Sequence, residues 1–312
     1  MASLQKTPVV LDCDAGIDDA EALVLALSQE AKKSYEVVGI TAVGGNAKLE
    51  DVTRNVAATL HACGEDQGLS AKYGDDHRRD DYHGSDGIGN VSSRLELSKD
   101  SSVQTDESAM DYLVRSANEH KGRLLLITLG PLTNIAAALE KDPSLDENLA
   151  RIVVAGTWFQ DETRGRAEFN VGCDPEAAQR VFRQFENSGK FVVVPSLDFA
   201  TGPKIPWDTL FTRLSESGSR RAQFISNIRR DKTVMHNNPS VMPFHRSCDL
   251  TAVMAALFFE ESVQDTNWRI FKIGDNGETI YSAPQPEHTG VLTVEKLRQD
   301  VYERLFEAML KE

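Results

Sequence analysis

Apolar positions along the chain fall into two alternating kinds of run. Short unbroken blocks at Val9–Leu11, Glu36–Ala42, Leu124–Thr128, Ile152–Val154 and Phe191–Val194 have the length expected of strands buried on both faces. Between them, Ala20, Ala22, Leu23, Leu25, Ala26 and Leu27 predict a helix to about Gln29. Further helices are expected around Val52–Ala62, through Leu139, and from Pro175 to about Phe185. This alternation predicts an α/β fold: an open, mainly parallel sheet flanked by helices, with a Rossmann-like core. After Ser196 the pattern turns more helical, in "IPWDTLFTRLSES" and "RRAQFISNIRR", and a final helix is expected from about Val294 to Leu310. From Gly64 to Ser108 the pattern weakens into "GDDHRRDDYHGSDGIGN", which reads as a surface loop or an active-site flap. No linker or internal repeat interrupts the chain, so one domain over residues 1–312 is expected.

The polar residues become informative where the first strand ends. In "VVLDCDAGIDDAEAL" four aspartates, Asp12, Asp14, Asp18 and Asp19, lie within eight positions. On a solvated loop such side chains splay apart. Here they occupy a strand-to-helix turn, the place where open α/β sheets bind ligands. At an effective dielectric near 20, two carboxylates about 5 Å apart repel by roughly 3 kcal/mol, so convergence requires an offset such as a cation.

Composition narrows the partner. A net charge of −14 among 312 residues and a pI near 5.0 disfavour nucleic acid and anionic membranes, and suit a cation or a small neutral substrate. Cys13, Cys63, Cys173 and Cys248 show no CxxC spacing, so neither a zinc module nor a disulfide framework is indicated. Reduced thiols, and the lack of a signal-like apolar stretch in "MASLQKTPVVLD", lead to the expectation of a cytoplasmic protein.

Other polar islands follow predicted strands. "TAVGGNAKLED" places Asn46 in a glycine-containing loop, and "ITLGPLTNIAAAL" puts the Leu129 carbonyl at a strand end. "AEFNVGCDPEAAQRVF" offers Glu168 and Asn170 ahead of a helix whose N-cap is expected to be Asp174, with Pro175 at its first position. In "HRSCDLTAVMAALF", Asp249 opens an apolar helix, and an N-cap role accounts for it by itself. Taken alone, His83 reads as an exposed loop residue.

These islands, taken in order, resemble the inosine-uridine preferring nucleoside hydrolase family. The match comprises Asp12-x-Asp14-x-x-x-Asp18-Asp19, Val43-Gly44-Gly45-Asn46, Gly130-Pro131-Leu132-Thr133-Asn134, Ala167-Glu168-Phe169-Asn170 with Asp174-Pro175-Glu176, and Cys248-Asp249. The resemblance implies a Ca²⁺-dependent hydrolase of the N-glycosidic bond of ribonucleosides or related N-ribosyl compounds, acting in purine or pyrimidine salvage as a homodimer or homotetramer. It also implies that Asp14, Asp19, Asp249 and the Leu129 carbonyl bind the ion, an oxygen set that suits Ca²⁺. Asp14 would be the base that takes a proton from a metal-bound water, and Asp18, Asn46, Glu168 and Asn170 would contact the ribose hydroxyls. Asp12 would support this constellation.

Two departures bear on substrate. Cys248 stands where the best-studied members carry a histidine that assists the leaving base, as in a cysteine-bearing subgroup. The loop "FQDETRGRAEFN" puts Asp161, Glu162 or Thr163 where members usually carry a Gly-Asn pair, and Glu162 is the candidate for the ribose 5′ side. His83 in the loop, and His245 three residues before Cys248, are further candidates to reach the pocket. Two other classes fit parts of the chain: a haloacid dehalogenase-type phosphatase, from the "VVLDCD" start, and a non-catalytic nucleoside or cation sensor.

Overall fold

The computed structural model describes residues 5–65, 71–73, 82–97, 107–157, 167–195 and 202–311. The chain runs β1 (Thr7–Cys13), α1 (Ile17–Ala26), β2 (Tyr35–Ala42), α2 (Leu49–Ala62), β3 (Ala71–Tyr73), α3 (Ala109–Glu119), β4 (Leu124–Thr128), α4 (Thr133–Lys141), α5 (Leu145–Asn148) and β5 (Leu149–Ala155). It continues with α6 (Phe169–Cys173), α7 (Pro175–Phe185), β6 (Phe191–Val194), α8 (Trp207–Ser217), α9 (Arg220–Ile228), α10 (Cys248–Leu257) and α11 (Phe259–Ser262). The last elements are β7 (Val263–Arg269), β8 (Phe271–Ile273), β9 (Thr279–Tyr281), β10 (Val291–Leu297) and α12 (Gln299–Met309).

Eight strands form one sheet in the order β3-β2-β1-β4-β5-β6-β10-β7, parallel throughout except for β7 at the edge, which runs antiparallel to β10. β8 and β9 pair separately as a short antiparallel ribbon. The expected open, mainly parallel α/β sheet is what the chain forms. From β1 the chain steps outward to β2 and β3, then crosses back to β4 on the other side. The switch in direction therefore falls at the carboxyl end of β1, where crevices open in such sheets.

Strand alternation divides the core between the two faces. Val9, Leu11, Cys13, Leu125 and Ile127 pack with α1, α2, α8, α9, α10 and α12, while Val10, Leu124 and Leu126 pack with α3, α4 and α7. Every residue of α1 is buried, as is every residue of α10 from Asp249 onward, and these two helices lie against each other. A helix covered on all sides reads as apolar all round. Their N-termini consequently bring Asp18, Asp19 and Asp249 into the same buried region.

Two elements differ from the sequence expectation. The expected helix over Val294–Leu310 divides into β10 and α12, because "VLTVEKL" is drawn into the sheet between β6 and β7. Helix α3 lies in a stretch to which the pattern assigned nothing, although Ser108 caps it by accepting a bond from the Asp111 backbone N–H.

Candidate active site

The site is assembled at the ends of β1, β2 and β4. Asp12, the penultimate residue of β1, lies in register with Thr41 of β2 and Thr128 of β4. Its Oδ1 accepts from the Thr41 hydroxyl and, at 2.8 Å, from Asn134 Nδ2; the same amide also donates to the Ala42 carbonyl at 3.0 Å. The GPLTN island thus ties three strand ends together. Burial pushes the Asp12 carboxyl up to about 7, partly countered by the Asn134 and Thr41 bonds. These contacts tie Asp12 to the neighbouring strand ends. Thr133 next to Asn134 donates to Asp174 at 2.7 Å, and Asp174 also accepts from the Ala177 N–H at 3.0 Å. Asp174 is the cap of α7, as its position before Pro175 implied.

Beyond β1 the backbone turns sharply into α1 through Ala15, whose φ of 34° lies in the left-handed region. Asp14 Oδ2 accepts from the Asn46 backbone N–H at 2.8 Å. Glycine is required at position 45 because a Cβ there would stand 2.2 Å from Asp14 Oδ2. Asp19 sits at the third position of α1, where Oδ2 accepts from the Gly16 N–H at 2.8 Å and from Asn46 Nδ2 at 3.2 Å. One half of a capping box is therefore also a member of the acidic cluster.

Single carboxylate oxygens of Asp18, Asp19 and Asp249 lie within 4.8 Å of one another, and all three residues are buried. Asp14 Oδ1, Asp18 Oδ1 and Asp19 Oδ1 are buried without a hydrogen-bond partner among the described residues. Burial first, and the charge of Asp19 second, push the Asp14 carboxyl well above the usual carboxylate range. Burial and the charges of Asp18 and Asp19 do the same to Asp249, while burial and Asp18 bring Asp19 to about 6. Unfilled carboxylate oxygens, in a cluster where burial first and neighbouring charge second raise Asp14, Asp19 and Asp249, fit a divalent cation, which would reverse that balance. The Leu129 carbonyl is at the β4 end as expected, and Asn170 Nδ2 donates to it at 2.6 Å.

Several expectations change in the structure. Asp249 does not cap α10: Ser247 does, through a bond from the Leu250 N–H, leaving the Asp249 carboxylate available to the cluster. His83 is buried rather than exposed, and its Nδ1 accepts from the Ile17 N–H at 3.1 Å. The loop around it is pinned by Asp86, whose carboxylate accepts from the backbone N–H groups of Ile88, Asn90 and Ser92. His245 pairs with Glu21, with Nε2 3.0 Å from Glu21 Oε1. Glu168 is buried and uses Oε2 to cap α6 through the Val171 N–H at 3.1 Å. Cys248 is the first residue of α10 and is partly buried beside Asp249. Glu162 and the rest of its loop lie outside the described residues.

Sequence reasoning missed the groups behind Asp18. Arg229 Nε and Nη2 donate to the two Glu21 oxygens at 2.9 and 2.7 Å, and both residues are fully buried. Arg229 Nη1 reaches His236 Nδ1 at 3.2 Å, and His236 Nε2 stands 3.6 Å from Asp18 Oδ2. One signal was present: Glu21 is a charge inside the apolar run "AEALVLAL".

An open, mainly parallel sheet with a buried carboxylate cluster at its switch point puts the candidate site where α/β proteins of this kind bind their ligands. The chain belongs to the inosine-uridine preferring nucleoside hydrolase family, whose model matches residues 9–302, and is accordingly an N-glycosyl hydrolase. It is 33% identical over 263 residues, 80% of this chain and 75% of the relative, to the probable uridine nucleosidase 2 of Oryza sativa subsp. japonica. It is likewise 33% identical over 201 residues, 61% of this chain and 60% of the relative, to the pyrimidine-specific ribonucleoside hydrolase RihA of Salmonella enteritidis. A plant nucleoside hydrolase structure superposes with a TM-score of 0.80 at 26% identity, covering 98% of this chain and 99% of the other. The purine-preferring ribonucleoside hydrolase from Gardnerella vaginalis has the same fold, with a TM-score of 0.79 at 21% identity over 97% and 98% of the two chains. The phosphatase and sensor readings give way to this membership. Among the described residues, no helix is long and apolar enough to cross a membrane.

Proposed function

We propose that the protein is a Ca²⁺-dependent ribonucleoside hydrolase in which Asp14 activates the attacking water. The observation that carries this reading is the convergence of buried carboxylate oxygens without hydrogen-bond donors at the β1 switch point. Asp14, Asp19, Asp249 and the Leu129 carbonyl would hold the ion. When bound, Ca²⁺ supplies positive charge that polarises the water and the ribose hydroxyls. Asp14 takes the proton from that water at Oδ1, the oxygen not engaged by the Asn46 N–H. Asp18, Asn46, Glu168 and Asn170 orient the ribose, and their carboxylate and carbonyl oxygens favour the positive charge that develops on the sugar ring. The likeness to relatives named uridine and pyrimidine hydrolases makes uridine the first substrate to test. Action in the cytoplasm in purine or pyrimidine salvage, and assembly as a homodimer or homotetramer, rest on family likeness.

The testing experiment measures free base from uridine, inosine and their 2′-deoxy counterparts, with and without chelator. Uridine or inosine should be cleaved far faster than its 2′-deoxy form, because a missing hydroxyl leaves buried polar groups unpaired. Chelation should abolish turnover and lower the melting temperature. With Asp19 raised to about 6, the ion-free protein keeps carboxyl-linked stability below about 3.8 and loses it as pH rises through about 6. The chelator-induced fall in Tm should therefore be larger at pH 8 than at pH 5. Equal hydrolysis with chelator present would remove the metal from the reading.

Cys248 is assigned a packing role at the start of α10, since a partly buried cysteine commonly behaves as a small apolar residue. Cys248→Ala should keep most of kcat on the best nucleoside. A loss of about a hundredfold, rescued with p-nitrophenyl riboside, would instead make the thiol part of leaving-group activation.

A further inference from the structure

Three buried side chains beside the acidic cluster, Asp18, His83 and His236, bring one ligand-type atom each within 4.8 Å of one another. Two imidazoles and a carboxylate resemble a transition-metal site in composition. Their hydrogen bonds exclude that role. His83 Nδ1 accepts from the Ile17 backbone N–H, and His236 Nδ1 lies 3.2 Å from Arg229 Nη1. A backbone amide and a guanidinium can only donate, so each Nδ1 is an acceptor and the proton of each neutral ring is on Nε2. Both Nε2–H groups face the same carboxylate, His83 at 3.7 Å from Asp18 Oδ1 and His236 at 3.6 Å from Asp18 Oδ2. An Nε2 that carries a proton has no lone pair for a metal.

The orientation of His236 is set from far away in the chain. Arg229 is clamped by two bonds to Glu21, one turn or less from Asp18 on α1, and His245 packs its Nε2 against the other side of the same carboxylate. The His236 backbone N–H donates to the Tyr82 carbonyl at 3.0 Å, and the rings of His83 and His236 meet edge to face with centroids 4.6 Å apart. The two imidazoles are therefore packed against each other, and each turns an Nε2–H toward one oxygen of Asp18 at 3.6–3.7 Å, outside direct hydrogen-bond length.

We propose that His83 and His236 form a two-imidazole brace that fixes Asp18 as the acceptor of a ribose hydroxyl, with Glu21 and Arg229 holding the His236 tautomer. The inference rests on the ribose-site reading of Asp18 given above. It makes His236 a positioning residue and extends the specificity apparatus to a segment that carries none of the family islands. Asp18 accepts from the sugar only if its carboxylate is held in plane, and an N–H dipole facing each oxygen from 3.6–3.7 Å favours one orientation electrostatically while leaving the lone pairs open to a hydroxyl.

The test compares His236→Leu with His236→Gln, and His83→Leu with His83→Gln, each assayed on uridine and 2′-deoxyuridine. Glutamine returns an N–H donor near the place of Nε2, whereas leucine fills the space without one. Each leucine variant should lose about 10- to 100-fold in kcat/KM on uridine, the usual scale for partners that orient a site residue. The loss should be much smaller on 2′-deoxyuridine, so that the ratio between the sugars collapses, and glutamine should restore part of it. Ca²⁺ affinity by calorimetry should stay close to native, since the proposed ion ligands are intact. Equal losses on both sugars, or a glutamine variant no better than leucine, would reduce the two histidines to packing and overturn the brace. A native enzyme that cleaves both sugars equally overturns the ribose-site reading, and the brace with it.

Discussion

Replacing Asp14 with alanine should lower kcat by about a hundred- to ten-thousand-fold, the span attributed to a positioned general base. Asp14 is fully buried, one oxygen is engaged by the Asn46 N–H, and the other has no hydrogen-bond partner among the described residues. The side chain is confined by glycines on two sides: a Cβ at Gly45 would meet its Oδ2, and one at Gly130 would lie 3.1 Å from its Cβ. Asp14→Asn keeps the volume and removes the basic oxygen, so it should be nearly as inactive as alanine while retaining more native stability. Because Asp14 is proposed both to hold the ion and to take the proton, activity must be measured as Ca²⁺ is raised to saturation. Activity that returns to the native level at high Ca²⁺ would leave Asp14 as an ion ligand only. A persistent loss in a variant with measurable Ca²⁺ binding assigns the proton transfer to it.

The largest effect on stability should come from Arg229. Removing one partner of a buried ion pair strands the other, and Arg229→Met should cost about 3–5 kcal/mol in denaturant unfolding. Glu21→Leu should be similarly damaging. The double replacement should recover much of the loss, because two apolar groups of similar volume leave no unpaired charge. Losses that simply add in the double variant would show the pair is not energetically coupled. pH gives an independent arm. Burial alone would raise the Glu21 carboxyl, but Arg229 and His245 outweigh it and bring it down to about 2 from an ordinary 4.5. A depressed carboxyl contributes stability that is fully present above about 4.5 and is lost as pH falls through about 2. The native protein should show that acid-side loss, and the double variant should lack it.

Local features made much of the architecture legible. Unbroken apolar blocks identified five of the sheet's central strands, and the Asp174-Pro175 step set the start of α7 at the observed residue. Capping chemistry of this kind acts within four residues and needs no tertiary context. β10 was not legible, because Glu295 and Lys296 suit a helix and only the place between β6 and β7 draws the segment into the sheet. The Asp249 cap failed for a related reason. Ser247 and Asp249 both have cap chemistry, and the backbone at Ser247, with φ −147° and ψ 111°, decides which residue is the half-turn outside the helix.

The acidic cluster shows the same division. That Asp14 and Asp19 flank one strand-to-helix turn was determined by the sequence, since an apolar block followed by an apolar helix leaves the turn no other place. That Asp249 joins them depended on α10 packing against α1, a contact between segments more than two hundred residues apart. The burial of His83, the pairing of Glu21 with Arg229, and the convergence of His83 and His236 on Asp18 were decided only by the tertiary structure. A histidine or an arginine carries no local preference that distinguishes a solvated loop from a buried partner. The difference lies in the desolvation that packing imposes and in the distant charge that offsets it.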